Sequence, residues 1–587
     1  MISIAGTILV LLFPGSLLFF RKQFFPSLHL VEKLPIYMAC SLVYWIMGFW
    51  WLRYIPVLFT AWVFLSVGLS MILWVYLWMT KRTVPQKSAH LSLWIVGFGI
   101  VILIPQLRLV TQQLAPSGQD MSMHAYIANA IVHMETFPRA LMPIVPVDQF
   151  GLYPFGFSTI IAVLSSVNSM PIFTNALLAT AIAHVLFDTA LYVLLRSAYS
   201  PFISACTAIM VAWTSHNPHL FVEWGANPSV LSFAFFIYMI SAYAHTTMRG
   251  RLPLALLFLV ASLLTNYMYI LAGIYVSVWV FVWYAPFFKL QKILVSKKQT
   301  ITLLLLAGLL LLPFIETYIT LHGFTLSQRV TLYIQGLHLD ETRIWNGVFS
   351  FEGFMQMTRI LTDVMDTKLF ALYILSLIAL FPIKKRTVYV HIVILLGSYL
   401  LIANARYWWL PFSSILYPQR VVLLMLIPIS WAIAQSLSLY RSLHNKTLFT
   451  TIGGALILSM ILQLRQVQFT RTARDHQLLT RNDVGVLSWV RLHSSETDVI
   501  WNRYEDAGVW IPAVIYRPIT TYHTNPVDMQ RIQTAAKKNP QFAFIGEAVP
   551  QDGSIQDLVK ETHPEADTWT FTLLYSQGNA AVYRIEQ

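Results

Sequence analysis

The chain has 587 residues, 57% of them hydrophobic and 11% charged, with a formal net charge of +13. Soluble proteins carry about 25% charged residues, so this composition excludes a string of soluble domains and implies a multi-pass membrane protein. The basic excess does not indicate nucleic-acid binding, because it lies in short clusters between apolar runs, the pattern of cytoplasmic loops.

About 20 apolar residues cross a bilayer core. In chain order, such runs predict membrane helices near 2–20, 34–52, 55–79, 90–108, 172–195, 201–217, 229–247, 252–265, 267–286, 300–321, 367–383, 388–404, 417–438 and 447–465. The first run, MISIAGTILVLLFPGSLLFF, has no basic n-region and no small-residue cleavage site. It reads as a membrane helix, not a removed signal peptide. Cys40 and Cys206 fall inside apolar runs and read as buried small residues, not as a disulfide or metal site.

Basic clusters stand at Arg21/Lys22/Lys33, Lys81/Arg82/Lys87, Arg196, Arg249/Arg251, Lys289/Lys292/Lys297/Lys298, Lys384/Lys385/Arg386 and Arg441/Lys446. All of them fall on one side if the N-terminus is outside. This requires 155–167, about 13 apolar residues, to be an interfacial or re-entrant helix and not a crossing. The fold class is then an α-helical polytopic membrane protein of about 14 transmembrane helices, with both termini outside.

The outer segments on this reading are 109–171, 218–228, the turn Thr265-Asn266-Tyr267, 322–366 and 405–417. Arg329, Asp340 and Arg343 lie in the fourth of these and read as members of a solvated loop. From residue 470 onward charge returns, with 11 Lys/Arg against 14 Asp/Glu, a net −3. There the pattern predicts a helix over 483–493, a strand over 498–501 and a last strand over 580–585. These make a small extracytoplasmic α/β domain of about 115 residues. It has no nucleophile elbow, phosphate loop or metal-spaced Cys/His set. It is expected to cap or scaffold the membrane part, or to bind an acceptor.

The segment SGQDMSMHAYIANAIVHMETFPR begins at Ser117. On a helix, Asp120, His124, Ile127, Ile131 and Met134 share one face. Ser117 and Gly118 can start that helix, Asp120 then lies in its first turn, where the dipole favours the ionised carboxylate, and Phe137-Pro138 ends it. Such a helix can lie on the outer membrane surface and present a carboxylate to a cavity. Alternatively, Asp120 is only a first-turn acid and His124 packs against a neighbour. The same outer side also collects Tyr153, Glu223, Arg406 and Arg420. Arginine binds phosphate bidentately, and a carboxylate can take a proton from an attacking hydroxyl. Trp213, Trp224, Trp408 and Trp409 suit an interfacial aromatic belt as well as a sugar platform.

The order of short motifs, QDMSMH (119–124), YPFGF (153–157), EWGANP (223–228) and YPQR (417–420), resembles the GT-C superfamily of membrane glycosyltransferases. The likeness is to polyprenyl-phosphate-sugar-dependent, mannosyl- and arabinofuranosyltransferase-like members, over roughly residues 90–465. The tail, with VLSWVR and DAGVWIPAVIYRP, resembles the extracytoplasmic domain of some of them. The resemblance divides the chain into additional transmembrane helices at 1–88, a GT-C-like catalytic module at 89–468 with first outer loop 109–171, and the α/β domain at 469–587.

It implies that Asp120 is the general base, with His124 orienting it or bonding a phosphate or sugar. Tyr153, Glu223, Asn266, Arg406 and Arg420 would bind substrate, an arginine holding the leaving phosphate. The implied partners are a polyprenyl-phosphate sugar donor, a glycan, lipid or protein acceptor, and membrane lipid, with no nucleic acid. The implied location is the cytoplasmic membrane, with the site extracytoplasmic, in cell-envelope polysaccharide synthesis. Many members carry two adjacent acids in the first loop, whereas Gln119 precedes a single Asp120 here. That departure weakens any inference of a metal site, so a divalent cation stays only an option and no metal ligands are assigned.

His184 and Asp188 are spaced i, i+4 inside a membrane helix. They read either as a buried structural pair or as coupling groups of a lipid-linked-saccharide transporter. A non-catalytic scaffold of an envelope-polymer assembly is the third class. Transporters place polar residues at the midplane and show repeated halves. Here polar clusters gather at one face, which favours the enzyme.

Overall fold

The structure is a computed structural model that describes residues 2–20, 24–80, 93–138, 144–145, 154–215, 221–248, 250–284, 297–322, 351–403, 418–443, 476–503, 506–521, 539–548, 554–560 and 563–586. The helices are α1 (Ile2–Leu12), α2 (Leu30–Leu52), α3 (Phe59–Thr80), α4 (Leu93–Gln112), α5 (Asp120–Met134), α6 (Gly156–Val167) and α7 (Ile172–Leu195). Then come α8 (Pro201–Thr214), the single turn α9 (Phe221–Trp224), α10 (Asn227–Ala244), α11 (Arg251–Thr265), α12 (Met268–Tyr284) and α13 (Lys297–His322). They continue as α14 (Phe351–Met365), α15 (Thr367–Leu380), α16 (Lys385–Ala403), the turn α17 (Pro418–Val421) and α18 (Leu426–Leu443).

Among the described residues seven helices are long and apolar enough to cross a membrane, and six shorter apolar helices accompany them. The chain is thus a multi-pass membrane protein. The span expected at 447–465 lies outside the described residues. The run at 2–20 is not one helix. It breaks after Leu12 and resumes as a 3-10 segment at Gly15–Phe20, because Pro14 offers no N–H to continue the ladder. The segment expected as loop at 322–366 contains the amphipathic helix α14.

Apolar side chains dictate where the helices pack, and polar side chains fix their ends. The Glu32 carboxylate accepts from the backbone N–H of His29, capping α2. It also takes hydrogen bonds from Tyr192 Oη at 2.5 Å and Arg196 Nε at 2.7 Å, which lock α2 to the end of α7. Glu32 is buried, and a buried carboxylate is tolerable only when paired in this way.

The tail forms α19 (Arg481–His493), β1 (Ile500–Asn502), α20 (Ile511–Ile515), β2 (Phe542–Ile545), α21 (Ile555–Lys560), β3 (Thr570–Gln577) and β4 (Ala580–Glu586). The sheet order is β1-β2-β4-β3, with β1 and β2 parallel and the other pairs antiparallel. The register is set by apolar faces. Phe542 to Ile545 are all buried, as are Ala580 to Val582. The expected α/β character and the elements at 483–493, 498–501 and 580–585 are found there. The tail is not a separate body, since one continuous core runs from the membrane helices into Val486, Trp510, Ile511 and Val582.

Candidate active site

Helix α5 begins at Asp120 itself, and Ser122 Oγ bonds back to the Gln119 carbonyl at 2.8 Å. The helix ends at Glu135 in a left-handed conformation (φ 53°). The Glu135 carboxylate accepts from the N–H and hydroxyl of Thr60, each at 2.7 Å, which pins the far end of α5 to α3. The sequence suggested a helix lying on the membrane surface. The structure corrects this: Met121, Ser122, Ala125, Tyr126, Ile127 and Ala128 are all buried, so both faces are covered. One cover is α6, itself buried within the protein from Gly156 to Leu164. Another is the tail domain, whose α20 packs on α5. There Asn129 Nδ2 donates to the carbonyls of Ala513 at 3.0 Å and Pro512 at 3.4 Å. Tyr516 lays its ring against His133 and Tyr126.

Two glycines fix the start of α5. Gly118 has φ +82°, and a Cβ placed there would stand 2.1 Å from the backbone N of Gly225. Gly225 has φ +77°, and its Cβ would meet Met121 at 2.9 Å and the Asp120 Cβ at 3.3 Å. Only glycine permits both the left-handed backbone and this approach. The second predicted loop is thereby held directly against Asp120. Glu223 is partly exposed, Trp224 is 47% exposed, and both lie within two residues of that contact. Glu223 makes no hydrogen bond or ion pair among the described residues.

Arg420, in the turn α17, brings its guanidinium to 3.9 Å from the Asp120 carboxylate. The side chains of both remain partly exposed, at 21% and 30%. His124 lies one turn along α5, buried, with Nδ1 3.1 Å from the Ser158 hydroxyl and Phe157 edge-on to its ring. Burial pushes the His124 pKa down to about 4. Asp120 opposes that shift and Arg420 adds to it. His124 is therefore neutral near pH 7 and holds its place through Ser158.

Asn266 spends both ends of its amide on structure. Its Nδ2 donates to Ser229 Oγ at 2.9 Å, and its Oδ1 accepts from Met268 N–H at 3.1 Å. It fixes the turn that opens α12. Gly156, at the start of α6, packs against Thr265 and Leu264 at the end of α11, so this turn stands beside the α5–α6 pair. Tyr153 and Arg406 lie outside the described residues. Glu316 is held elsewhere, by Arg53 at 3.5 Å and by Tyr54. Sequence reasoning missed Tyr269, buried in the first turn of α12, a helix that packs against the α17 turn carrying Arg420. It also missed Ser158, visible only as one polar residue in an apolar run.

Among the described residues no three His, Cys, Asp or Glu side chains gather to hold a metal. Asp120 faces Arg420 at 3.9 Å.

No protein-family model and no curated protein matches the chain. Solved structures similar to it include the oligosaccharyltransferase AglB from Archaeoglobus fulgidus in complex with an inhibitory peptide and a dolichol-phosphate. The identity is 13% and the TM-score 0.45, over 84% of this chain and 74% of that one. ArnT from Cupriavidus metallidurans in the apo state is similar at 12% identity and TM-score 0.39, over 84% of this chain and 97% of that one. Both are GT-C superfamily membrane glycosyltransferases. At these identities and scores no residue role passes from either protein to this chain.

Proposed function

We propose that the protein is a GT-C-type glycosyltransferase. It moves a sugar from a polyprenyl-phosphate-linked donor to a hydroxyl of an extracytoplasmic glycan, lipid or protein acceptor, in cell-envelope polysaccharide synthesis. The observation that carries this reading is the meeting of Asp120 and Arg420 at 3.9 Å, from segments far apart in the chain, with both side chains partly exposed. A carboxylate that takes a proton and a guanidinium that holds a phosphate are the two groups the transfer needs side by side.

In the step, the acceptor hydroxyl gives its proton to Asp120 and its oxygen bonds to the anomeric carbon. The bond from that carbon to the phosphate oxygen breaks. The electron pair leaves with polyprenyl phosphate, whose charge Arg420 holds. Neutral His124, fixed by Ser158, supports the helix turn that carries Asp120. Glu223 and Trp224, within two residues of the Gly225 contact with Asp120 and partly exposed, suit contacts to acceptor or sugar. The positive-inside arrangement of the basic clusters supports an extracytoplasmic site at the cytoplasmic membrane.

One observation favours a second reading. Both carboxylate oxygens of Asp188, wholly buried in α7, lack a hydrogen-bond partner among the described residues. Intramembrane carboxylates of this kind mark proton or ion pathways in transporters, and a transporter of a lipid-linked saccharide would use one for coupling. The test is radiolabelled sugar transfer by purified protein in detergent, from a panel of polyprenyl-phosphate sugars to envelope glycans. Transfer from one donor supports the enzyme. Movement of a lipid-linked saccharide across proteoliposomes without transfer supports the transporter and sinks the enzyme.

A further inference from the structure

Two carboxylates are buried side by side in the tail domain. Asp506 caps the 3-10 turn Ala507–Trp510, its Oδ1 accepting from the Gly508 N–H at 2.5 Å and its Oδ2 from the Gly546 N–H at 3.1 Å. Asp483 closes the capping box of α19, its Oδ2 accepting from the Thr480 N–H at 2.8 Å and its Oδ1 from the Glu547 N–H at 2.8 Å. Both residues are wholly buried. Gly546 and Glu547 are consecutive, so the two carboxylates hold adjacent N–H groups of the turn that leaves β2. Packing there is tight. A Cβ on Gly508 would stand 2.7 Å from Asp506 Oδ1, and one on Gly546 would stand 3.0 Å from Ala507.

A buried carboxylate is tolerable as an ion only when its charge is answered. Neither acid forms an ion pair among the described residues. Two like charges in one dry place also disfavour each other, so such a pair holds a proton more readily than a lone acid. Burial pushes the Asp506 carboxyl up to about 7 against the pull of its two N–H bonds. Asp483 of α19 adds to that shift, and Arg503, next to β1, opposes it. Glu547 acts on Asp483 in turn. Helix α5, which packs on the same 3-10 turn, carries His124 and His133.

The turn capped by Asp506 runs directly into α20. The Pro512 and Ala513 carbonyls of α20 take the Asn129 amide of α5, and Tyr516 just beyond lies against Tyr126 and His133. Through Gly546, Asp506 ties this clamp to the end of β2. We infer that the Asp483–Asp506 pair is a proton-operated latch that sets how firmly the tail domain grips α5, tight when the pair carries one proton and looser when both acids are ionised. The latch does not depend on the proposed transfer reaction. An aspartate in an open chain ionises at about 3.9, whereas closed Asp506 keeps its proton up to about 7. The grip is therefore full below about pH 4, weakens as pH rises through 7, and is level above that. His124 acts in the opposite sense, so the latch is read locally and not from global unfolding.

The experiment follows hydrogen exchange of the 507–515 segment by mass spectrometry, in full-length protein in nanodiscs. It runs from about pH 5 to about pH 8, with correction for the chemical exchange step. Opening of the segment in wild type should rise by up to about ten-fold per pH unit below about 7 and then level off. Asp506→Asn keeps one acceptor and never ionises, so its profile should be flat. Asp483→Asn removes the neighbouring charge, so its break should move to lower pH. This second variant decides the matter if Asp506→Asn does not fold. A flat wild-type profile, or a slope that survives in Asp506→Asn, overturns the latch. A break that stays in place in Asp483→Asn overturns the pairing and the proposal with it.

Discussion

Asp120→Asn separates chemistry from structure at this site. The substitution keeps the shape of the side chain and removes the charge that faces Arg420 at 3.9 Å. At that separation the attraction is about 1 kcal/mol in water and about 4 kcal/mol at an effective dielectric of 20. Both side chains are partly exposed, and ion pairs of this kind contribute about 0–1 kcal/mol when measured. The loss in stability is therefore about 1 kcal/mol or less, which lowers the thermal midpoint by roughly 2 °C at most in a chain this long. The loss in turnover is of another order, because a positioned general base accounts for about 10²- to 10⁴-fold. Donor affinity should hold or tighten, since Arg420 loses its competing carboxylate. The assay is transfer from the preferred polyprenyl-phosphate sugar, with donor binding and thermal unfolding measured on the same preparation. Turnover of Asp120→Asn within about three-fold of wild type would refute the assignment of the base. So would a turnover loss accompanied by an equally large fall in the midpoint.

His124 makes stability pH-dependent in a predictable direction. Its pKa is about 4 when folded and about 6.5 when unfolded. As pH falls from 6.5 towards 4 the unfolded chain gains a proton that the folded chain refuses. Stability present above 6.5 is thus lost over that interval, by about 3 kcal/mol in total. Thermal unfolding of wild type minus His124→Gln should show this slope, and parallel profiles would contradict it. Gly118→Ala drives a Cβ to 2.1 Å from the Gly225 backbone at a φ of +82°. It should cost about 3 kcal/mol or more and abolish transfer, whereas Gly68→Ala, with nothing within 4 Å, should be harmless. Asn129→Ala removes the hydrogen bonds to the Pro512 and Ala513 carbonyls. Amide exchange in 511–515 should then quicken about ten-fold, and unchanged exchange would show that these bonds do not hold the tail domain.

What was legible in the sequence followed from periodicity. The run at 172–195 became α7 with those same ends, because unbroken apolar character leaves no choice but a helix. Asp120 and His124 were readable as one helix face, since an i, i+4 spacing needs no tertiary information. Pro14 was also in plain view, but the hydropathy of 2–20 outweighed it in the reading. Helix α14 escaped because Glu352, Arg359 and Asp363 look like loop residues, although Leu361, Val364 and Met365 bury one side of it. The burial of α5 was not readable at all. Nothing local to 120–134 says that a domain beginning some 350 residues later will cover it.

The position of the Asp120 carboxylate is over-determined by three unrelated segments. Thr60 holds Glu135 at one end of α5, the 512–513 carbonyls hold Asn129 in the middle, and the Gly118–Gly225 contact holds the start. A helix that needed only to be buried would not require two left-handed glycines in backbone contact two residues from its single acidic first-turn residue. The proposed role of Asp120 as base would need such restraint, because a misplacement of about 1 Å costs about 10²-fold in rate. The tail domain thereby acquires a role even though it lacks a catalytic motif of its own. It is the wall against which α5 is set, so its loss should reduce turnover through Asp120 while donor binding at Arg420 persists.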